Sequence, residues 1–409
     1  MLFLIASPAH AKYGGGTGEP NDPYLIFDAN QMNAIGADSN DWDRHFKLMA
    51  DIDLAGFTGT SFNIIGEYPS NPFTGVFDGN SYTISNFTYS STGTYYVGLF
   101  GYIDDSNAEI NNLGLIDPNV NAGTGDYVGS LVGWLQNGSI TDCNSAGGSV
   151  SGNYRIGGLV GRSGGTVSNS YATASVSGIG LVGGLLAVNY GGTVSNSYAA
   201  GSVSGSWDSV GGLVGDNYQS TVSNSYATGS VWGYWHAGGL VGRNWSTVSN
   251  SYSVGDVNGV TNVGGLVGKD ISGNYTKSFW DSTVNPDVNG IGNTTDANVI
   301  GESTANMQMA STFTDAGWDF VGETVNGTED IWDICEGTNY PKFVWQIPLL
   351  GDFVCPDGVN FVDFSFFAGH WQNDNCGASN DCDGTDLDQL DTVDINDLRI
   401  FVDNWLRGF

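Results

Sequence analysis

One phrase returns five times at a nearly fixed interval. It reads IGGLVG at residues 156–161, VGGLLA at 182–187, VGGLVG at 210–215, AGGLVG at 237–242 and VGGLVG at 263–268. Its leucines, Leu159, Leu185, Leu213, Leu240 and Leu266, lie 26, 28, 27 and 26 residues apart. A unit this short cannot enclose a core alone. It can bury its apolar face only against copies of itself, which makes the chain a solenoid. A second phrase, TVSNSY, follows the first four copies from Thr166, Thr193, Thr221 and Thr247. Alternation within it predicts Val167, Asn169 and Tyr171 on one strand face, so that stacked rungs form Val, Asn and Tyr ladders. The paired glycines predict a sharp corner or a close approach between neighbouring coils. The expected fold class is an all-β, right-handed parallel β-helix-like solenoid, each rung advancing about 4.8 Å, followed by a small C-terminal α-helical calcium-loop domain.

The repeat also sets the segment boundaries. Residues 1–11 end an apolar run in Ala9, His10 and Ala11, the pattern of a signal peptide remnant. Residues 12–96 read as an N-terminal cap and first coils. Within them Asp28 and Gln31 form an N-cap pair for a short helix with Met32 and Ile35 on one face, ended by Gly36. Residues 97–280 hold the repeats, including weaker copies VGLFG from Val97 and VGSLVG from Val128. Residues 281–345 leave the pattern and read as a C-terminal cap, and 346–351 as a linker. Residues 352–409 hold a different repeat, at an offset of 34: VNFVDFSFFAGHWQ from Val359 aligns on VDINDLRIFVDNWL from Val393.

Charge excludes some partners. The chain has 11 Lys and Arg against 43 Asp and Glu, a net charge of −32. Nucleic acid and anionic membranes require a basic surface. The acidity suits metal ions and an extracellular setting. No stretch beyond the N-terminus is long and apolar enough to span a membrane. Of the five cysteines, Cys143 stands alone in the repeats and is the expected free thiol. Cys335, Cys355, Cys376 and Cys382 allow two disulfides in three pairings.

The clearest chemical motif lies at residues 386–397. A twelve-residue calcium loop needs oxygens at positions 1, 3, 5, 7, 9 and 12. Asp386, Asp388, the Thr392 carbonyl, Asp394 (directly or through water) and Asp397 supply 1, 3, 7, 9 and 12. Leu390 leaves position 5 empty, and Asp391 replaces the usual glycine at 6. Thirty-four residues earlier, Asp352, Asn360 and Asp363 fill positions 1, 9 and 12 of a weaker loop, and Val354 and Pro356 vacate 3 and 5.

These paired loop–helix units resemble a dockerin. The resemblance covers about the last 58 residues and rests on a duplicated Asp-ended loop followed by an FxxFxxxW-like or LxxFxxxW-like helix. It implies two calcium-ordered helices that present a face to a cohesin-type protein or another docking surface. The repeats resemble the GLUG-motif family through phrases such as Gly158, Leu159, Val160 and Gly161. That resemblance implies a bacterial secreted or surface protein. Some large immunoglobulin-cleaving metallopeptidases carry such repeats as an accessory. The four histidines, His10, His45, His236 and His370, form no HExxH, so that peptidase chemistry is absent from this sequence.

The rod itself offers two kinds of candidate residue. Isolated charges such as Arg155, Arg162, Asp208, Asp216 and Arg243 read as solvated turn residues; Arg162, Asp216 and Arg243, which follow the repeat phrase in their rungs, alternatively read as one lined edge. Trp207, Trp232, Tyr234, Trp235 and Trp245 fall in turns of adjacent rungs and are candidate sugar platforms, or else corner packing. The resulting functional expectation is a secreted or surface-attached, non-catalytic solenoid for adhesion or glycan binding, docked through the calcium module. One alternative is a polysaccharide lyase or glycoside hydrolase. It would need two carboxylates within about 10 Å of each other, or next to an Arg or Lys base, in one groove. Another is a purely structural spacer.

Overall fold

A computed structural model describes residues 12–346, 359, 361–374, 376, 382, 385–390 and 392–404. The signal-peptide reading, Asp352, Cys355, Asn360 and Asp391 lie outside the described residues. The chain divides into two compact units, Met1–Glu302 and Ser303–Phe409.

The first unit is a parallel β-solenoid. Its strands pair in parallel with the equivalent strands of neighbouring coils, and among the described residues of this unit only the short Glu19–Asp22 and Glu67–Asn71 bridges are antiparallel. The TVS strands show the repeat register. Val167 pairs with Val194, Val194 with Val222, and Val222 with Val248. All four valines are fully buried. The tyrosine ladder forms as expected: Tyr171, Tyr198, Tyr226 and Tyr252 stack with centroids 4.8, 4.9 and 4.9 Å apart. Parallel pairing continues past the phrase repeats. Strand Ser278–Asp281 pairs with Val299–Glu302, the last rung of this unit.

The asparagines of TVSNSY do not share that strand face. Asn169, Asn196, Asn224 and Asn250 have φ of 48°, 48°, 44° and 46°. Each is the left-handed corner between two strands, a conformation asparagine tolerates better than most residues. The next serine completes the corner. Ser170 Oγ accepts from Cys143 N on the previous rung and donates to Ser168 O, and Ser197, Ser225 and Ser251 repeat the arrangement. A buried asparagine ladder does exist, but elsewhere. Asn189 Nδ2 donates to Asn217 Oδ1 at 3.1 Å, and Asn217 Nδ2 to Asn244 Oδ1 at 2.9 Å.

The glycine pair is a packing requirement. A Cβ on Gly211 would collide with Val214 O of its own rung, and a Cβ on Gly212 with Gly239 O of the next. Gly183 and Gly184, and Gly238 and Gly239, meet equivalent carbonyls. In the first coils, helix Ala29–Ala37 is capped as expected: Asp28 accepts from Gln31 N at 2.9 Å, and Gln31 Oε1 accepts from Phe27 N at 2.7 Å. The helix runs through Gly36 rather than ending there. Gly36 is needed because a Cβ would strike the Asn63 carbonyl.

In the second unit, residues 303–346 surround buried aromatics. Trp332 lies 4.9 Å from Trp318 and 4.4 Å from Phe343, centroid to centroid. Helices Phe361–Gly369 and Ile395–Asn404 follow. Val359, Phe367, Cys376, Cys382, Val393 and Phe401 form a separate small core there. Cys376 pairs with Cys382, and Cys143 is free and buried.

Candidate functional site

Two outward positions of each rung form the site. The first is the third residue after the leucine of the repeat phrase. Register places Tyr102, Trp134, Arg162, Val188, Asp216, Arg243 and Lys269 in one ladder along the solenoid. The second is the residue just before the phrase. Tyr96, Tyr127, Arg155, Leu181, Ser209 and His236 all occupy it with positive φ. These positions vary from rung to rung while the framework repeats.

Side chains from these two positions, joined by Tyr68 of the first coils and by Tyr190, Tyr218 and Trp245 two residues after the first position in their rungs, build a continuous aromatic and guanidinium surface. Tyr96 stacks on Tyr127 at 4.9 Å, and Tyr127 on Trp134 at 5.4 Å. Tyr68 joins them, 4.6 Å from Tyr96 and 5.1 Å from Trp134. Arg155 Cζ lies 4.7 Å from the Tyr127 ring. Arg162 Cζ is held between Trp134, at 4.5 Å, and Tyr190, at 4.7 Å. Tyr190 stacks on Tyr218 at 5.1 Å, and Tyr218 meets Trp245 edge-on at 5.6 Å. Each cation–π contact is worth about 0.5–2 kcal/mol, depending on desolvation. Burial, with Tyr127 and Tyr68 alongside, pushes the Tyr96 phenol up to about 12. This part of the face closes into an open groove of about 330 Å³, whose lining includes Arg155, Arg162, Tyr190, Asp216 and Arg243.

An ionic cluster borders the groove. Arg243 Nη2 contacts Asp216 Oδ2 at 2.7 Å, and Nη1 contacts Asp208 Oδ2 at 3.5 Å. His236 Nδ1 lies 2.8 Å from Asp208 Oδ1. Burial opposes ionisation of Asp208, but the His236 contact and Arg243 outweigh it and hold the carboxyl below its ordinary range. Burial likewise opposes the Arg243 charge, and Asp216 more than offsets it. The arrangement satisfies the carboxylate-beside-arginine condition set for a catalytic groove. Its chemistry is that of an ion-paired network: neither shift produces a carboxylic acid poised to donate a proton.

The predicted tryptophans separate. Trp207 and Trp235 contact one another at 4.5 Å and directly precede Asp208 and His236. Trp245 lies in the groove beside Tyr218 and 5.8 Å from Arg243. Trp232 stands outward on strand Val231–Gly238, in register with Ser204 and Asn258, and makes no ring contact among the described residues. Tyr68, Tyr96, Tyr127, Trp134, Tyr190 and Tyr218 are site residues that sequence reasoning did not single out. The rung register, applied to the outward positions, is the signal that finds all of them but Tyr68, which comes from the first coils outside the ladders. In the first coils, Asp51 Oδ1 accepts from Thr83 N and Oγ1 of the next coil, and Asp53 Oδ1 caps a local turn by accepting from Ala55 N, so both carboxylates serve the framework.

In the second unit, one oxygen each from Asp386, Asp388 and Asp397 lies within 4.8 Å of the others. Asp386 and Asp397 are buried. The loop wraps around these carboxylates: Asp388 N donates to Asp397 Oδ1, Asp394 N to Asp397 Oδ2, and Leu390 N to both Asp386 Oδ1 and Asp388 Oδ1. Partial desolvation, then repulsion from Asp397, Asp386 and Asp394, pushes the Asp388 carboxyl up. Asp394 Oδ1 accepts from Asn396 N at 2.7 Å. Asp363 is buried in the first turn of helix Phe361–Gly369.

Comparison with known proteins identifies the repeat. Residues 124–151, 152–177, 209–231 and 233–258 match the family described as the GLUG motif. These four segments are GLUG motifs. Part of the chain is also similar to two larger proteins. Halomucin of Haloquadratum walsbyi is 37% identical over 153 residues, 36% of this chain and 2% of halomucin. A protein of Evansella cellulosilytica, provisionally named a Gly-rich membrane protein, is 34% identical over 142 residues, 31% of this chain and 15% of that protein. The chain thus spans a small part of both relatives. A solved Bacteroides ovatus structure, provisionally named an immunoglobulin A1 protease, aligns over 81% of this chain and 95% of its own at 22% identity, with a TM-score of 0.49. Among the described residues no helix is long and apolar enough to cross a membrane.

Proposed function

We propose that the GLUG solenoid is a non-catalytic glycan-binding rod, secreted or attached to a cell surface. The observation that carries this reading is the unbroken series of ring contacts from Tyr68 through Trp134 and Arg162 to Tyr190, Tyr218 and Trp245. Flat apolar rings beside fixed donors suit sugars, whose C–H faces are apolar and whose edges are polar. The rungs set successive rings about 5 Å apart, so the surface suits a chain of sugars. The test is a broad glycan array, followed by Trp134→Ala and Tyr190→Ala on any hit. Binding lost with both substitutions supports the reading, and no hit at all leaves the structural spacer.

The carboxylates at Arg243 favour a second reading, a polysaccharide-degrading enzyme. It requires new reducing ends, or unsaturated products absorbing near 235 nm, that vanish in Asp208→Asn. Both carboxylates are ion-paired with Arg243, and this favours the binding reading over catalysis.

For the C-terminal module the proposal is a calcium-ordered, dockerin-like docking unit with a cohesin-type partner. Asp386, Asp388 and Asp397 would hold the ion, with the Thr392 carbonyl and Asp394 completing the set. A bound Ca²⁺ would neutralise three converging carboxylates that otherwise repel one another. Asp386→Ala with Asp397→Ala should abolish tight Ca²⁺ uptake by titration calorimetry and remove any Ca²⁺-dependent rise in melting temperature. An unchanged titration refutes the site.

A further inference from the structure

We infer that the groove around Arg162 selects anionic sugars, those carrying a uronate carboxylate or a sulfate ester. The inference rests on the glycan-binding reading and specifies its ligand class. It starts from a contrast within the molecule. The chain carries 43 acidic against 11 basic Lys and Arg residues, yet three of those 11, Arg155, Arg162 and Arg243, line one groove. Two of them are engaged. Arg243 holds Asp216 and Asp208, and Arg155 lies 3.7 Å from Asp126. The Arg162 side chain has neither an ion pair nor a hydrogen bond among the described residues, and its Nε is buried with no acceptor. A desolvated donor left without an acceptor needs an explanation, because water no longer satisfies it.

The surroundings supply one. Trp134 and Tyr190 hold the Arg162 guanidinium from two sides. Its position is therefore set before any ligand arrives, and little rotamer freedom remains to be lost on binding. A guanidinium is a planar fork of donors that matches a carboxylate or a sulfate with two parallel bonds. Tyr190 and Tyr218, in register on adjacent rungs, give the sugar ring carrying that anion a platform next to the fork. A neutral glycan would use the platform and leave the fork unmatched. Asp216, the acidic residue of the groove lining, is tied to Arg243 and so does not pair with Arg162. The chain's overall negative charge repels polyanions only at long range, and at 0.15 M salt that repulsion is screened beyond about 8 Å.

The test measures binding of the full chain, in 0.15 M salt, to polygalacturonate, dextran sulfate and neutral dextran. The expected result is binding of one anionic polymer about tenfold or more tighter than dextran, equivalent to one charge-assisted pair. Arg162→Gln should remove that preference, and Arg162→Lys should restore part of it. Arg155→Gln, at the groove edge, should cost less; it also keeps the test open should Arg162→Gln fail to fold by circular dichroism. Whichever anionic polymer binds identifies carboxylate or sulfate as the group. Equal binding of dextran, or full anionic binding by a folded Arg162→Gln, overturns the inference and leaves the glycan reading standing. No binding to any of the three, together with an empty glycan array, overturns both.

Discussion

Arg243 reaches back one rung to Asp216: the two are direct register partners, and Nη2 lies 2.7 Å from Oδ2. The carboxylate is largely buried and the arginine partly so. Removing one partner of such a pair leaves the other desolvated and uncompensated, at a cost of about 3 kcal/mol or more. Arg243→Met should therefore lower the calorimetric melting temperature of the solenoid. Arg243→Met with Asp216→Leu should recover most of the loss. A double variant as unstable as the sum of the two single variants would show that the pair is not coupled.

Asp208 makes the acid limb of stability pH-dependent. Its pKa is lowered from the ordinary 3.8 because His236 and Arg243 outweigh burial. A carboxyl whose pKa falls on folding contributes stability that is complete above its unfolded value and lost as the pH drops through its lower folded value. Thermal melts of the wild-type chain should hold steady down to about pH 4 and fall below it. In Asp208→Asn that share of the fall should be missing, so the two curves should converge toward pH 2. Parallel curves from pH 5 to 2 refute the assignment.

Burial pushes the Cys143 thiol up to about 12. The thiolate is the reactive species, so the folded chain should resist maleimide or disulfide reagents at pH 8 over hours. In strong guanidinium it should take up label quickly. Mass spectrometry of peptides containing Cys143 measures both outcomes, and rapid native labelling would contradict the buried position.

The glycine pair and the corner asparagine should respond in opposite ways. Gly212→Ala places a methyl group against the Gly239 carbonyl of the next rung and should cost about 3 kcal/mol or more, since backbone cannot yield as a side chain can. Asn224→Gly, at φ 44°, should be nearly neutral, because glycine adopts that conformation freely. Asn224→Val should cost about 1–2 kcal/mol. Melting temperatures of the three variants give the order directly.

These contrasts show what was legible in the sequence. The rod could be read because Val167, Val194, Val222 and Val248 recur at the rung period, and burial of one predicts burial of all. The role of Asn169 was misread. Alternation in a strand assigns faces but carries no sign of a φ reversal, so a corner looked like a strand position. The Asn189, Asn217 and Asn244 ladder was hidden because its neighbours change at each rung, from Val188 to Asp216 to Arg243. The groove was hidden for a related reason. Trp134, Arg162 and Tyr190 look unrelated in sequence and meet only when coils stack. Arg162, Asp216 and Arg243 were noted as one possible edge, and the register places them on one ladder. The Asp386, Asp388 and Asp397 convergence follows from loop spacing alone, because those carboxylates are local in sequence.

The parallel ladders have a mechanical consequence. Backbone bonds between coils, such as Leu185 N to Leu213 O and Leu213 N to Leu240 O, point along the direction in which the coils stack. Tension applied at the two ends of the solenoid would load those bonds head-on, a few at a time, instead of shearing a whole sheet at once. A single-molecule pull should therefore peel the rod coil by coil. Each event would release about 90 Å of chain for a rung of this length, giving a sawtooth whose spacing measures the rung and whose number of teeth counts the turns.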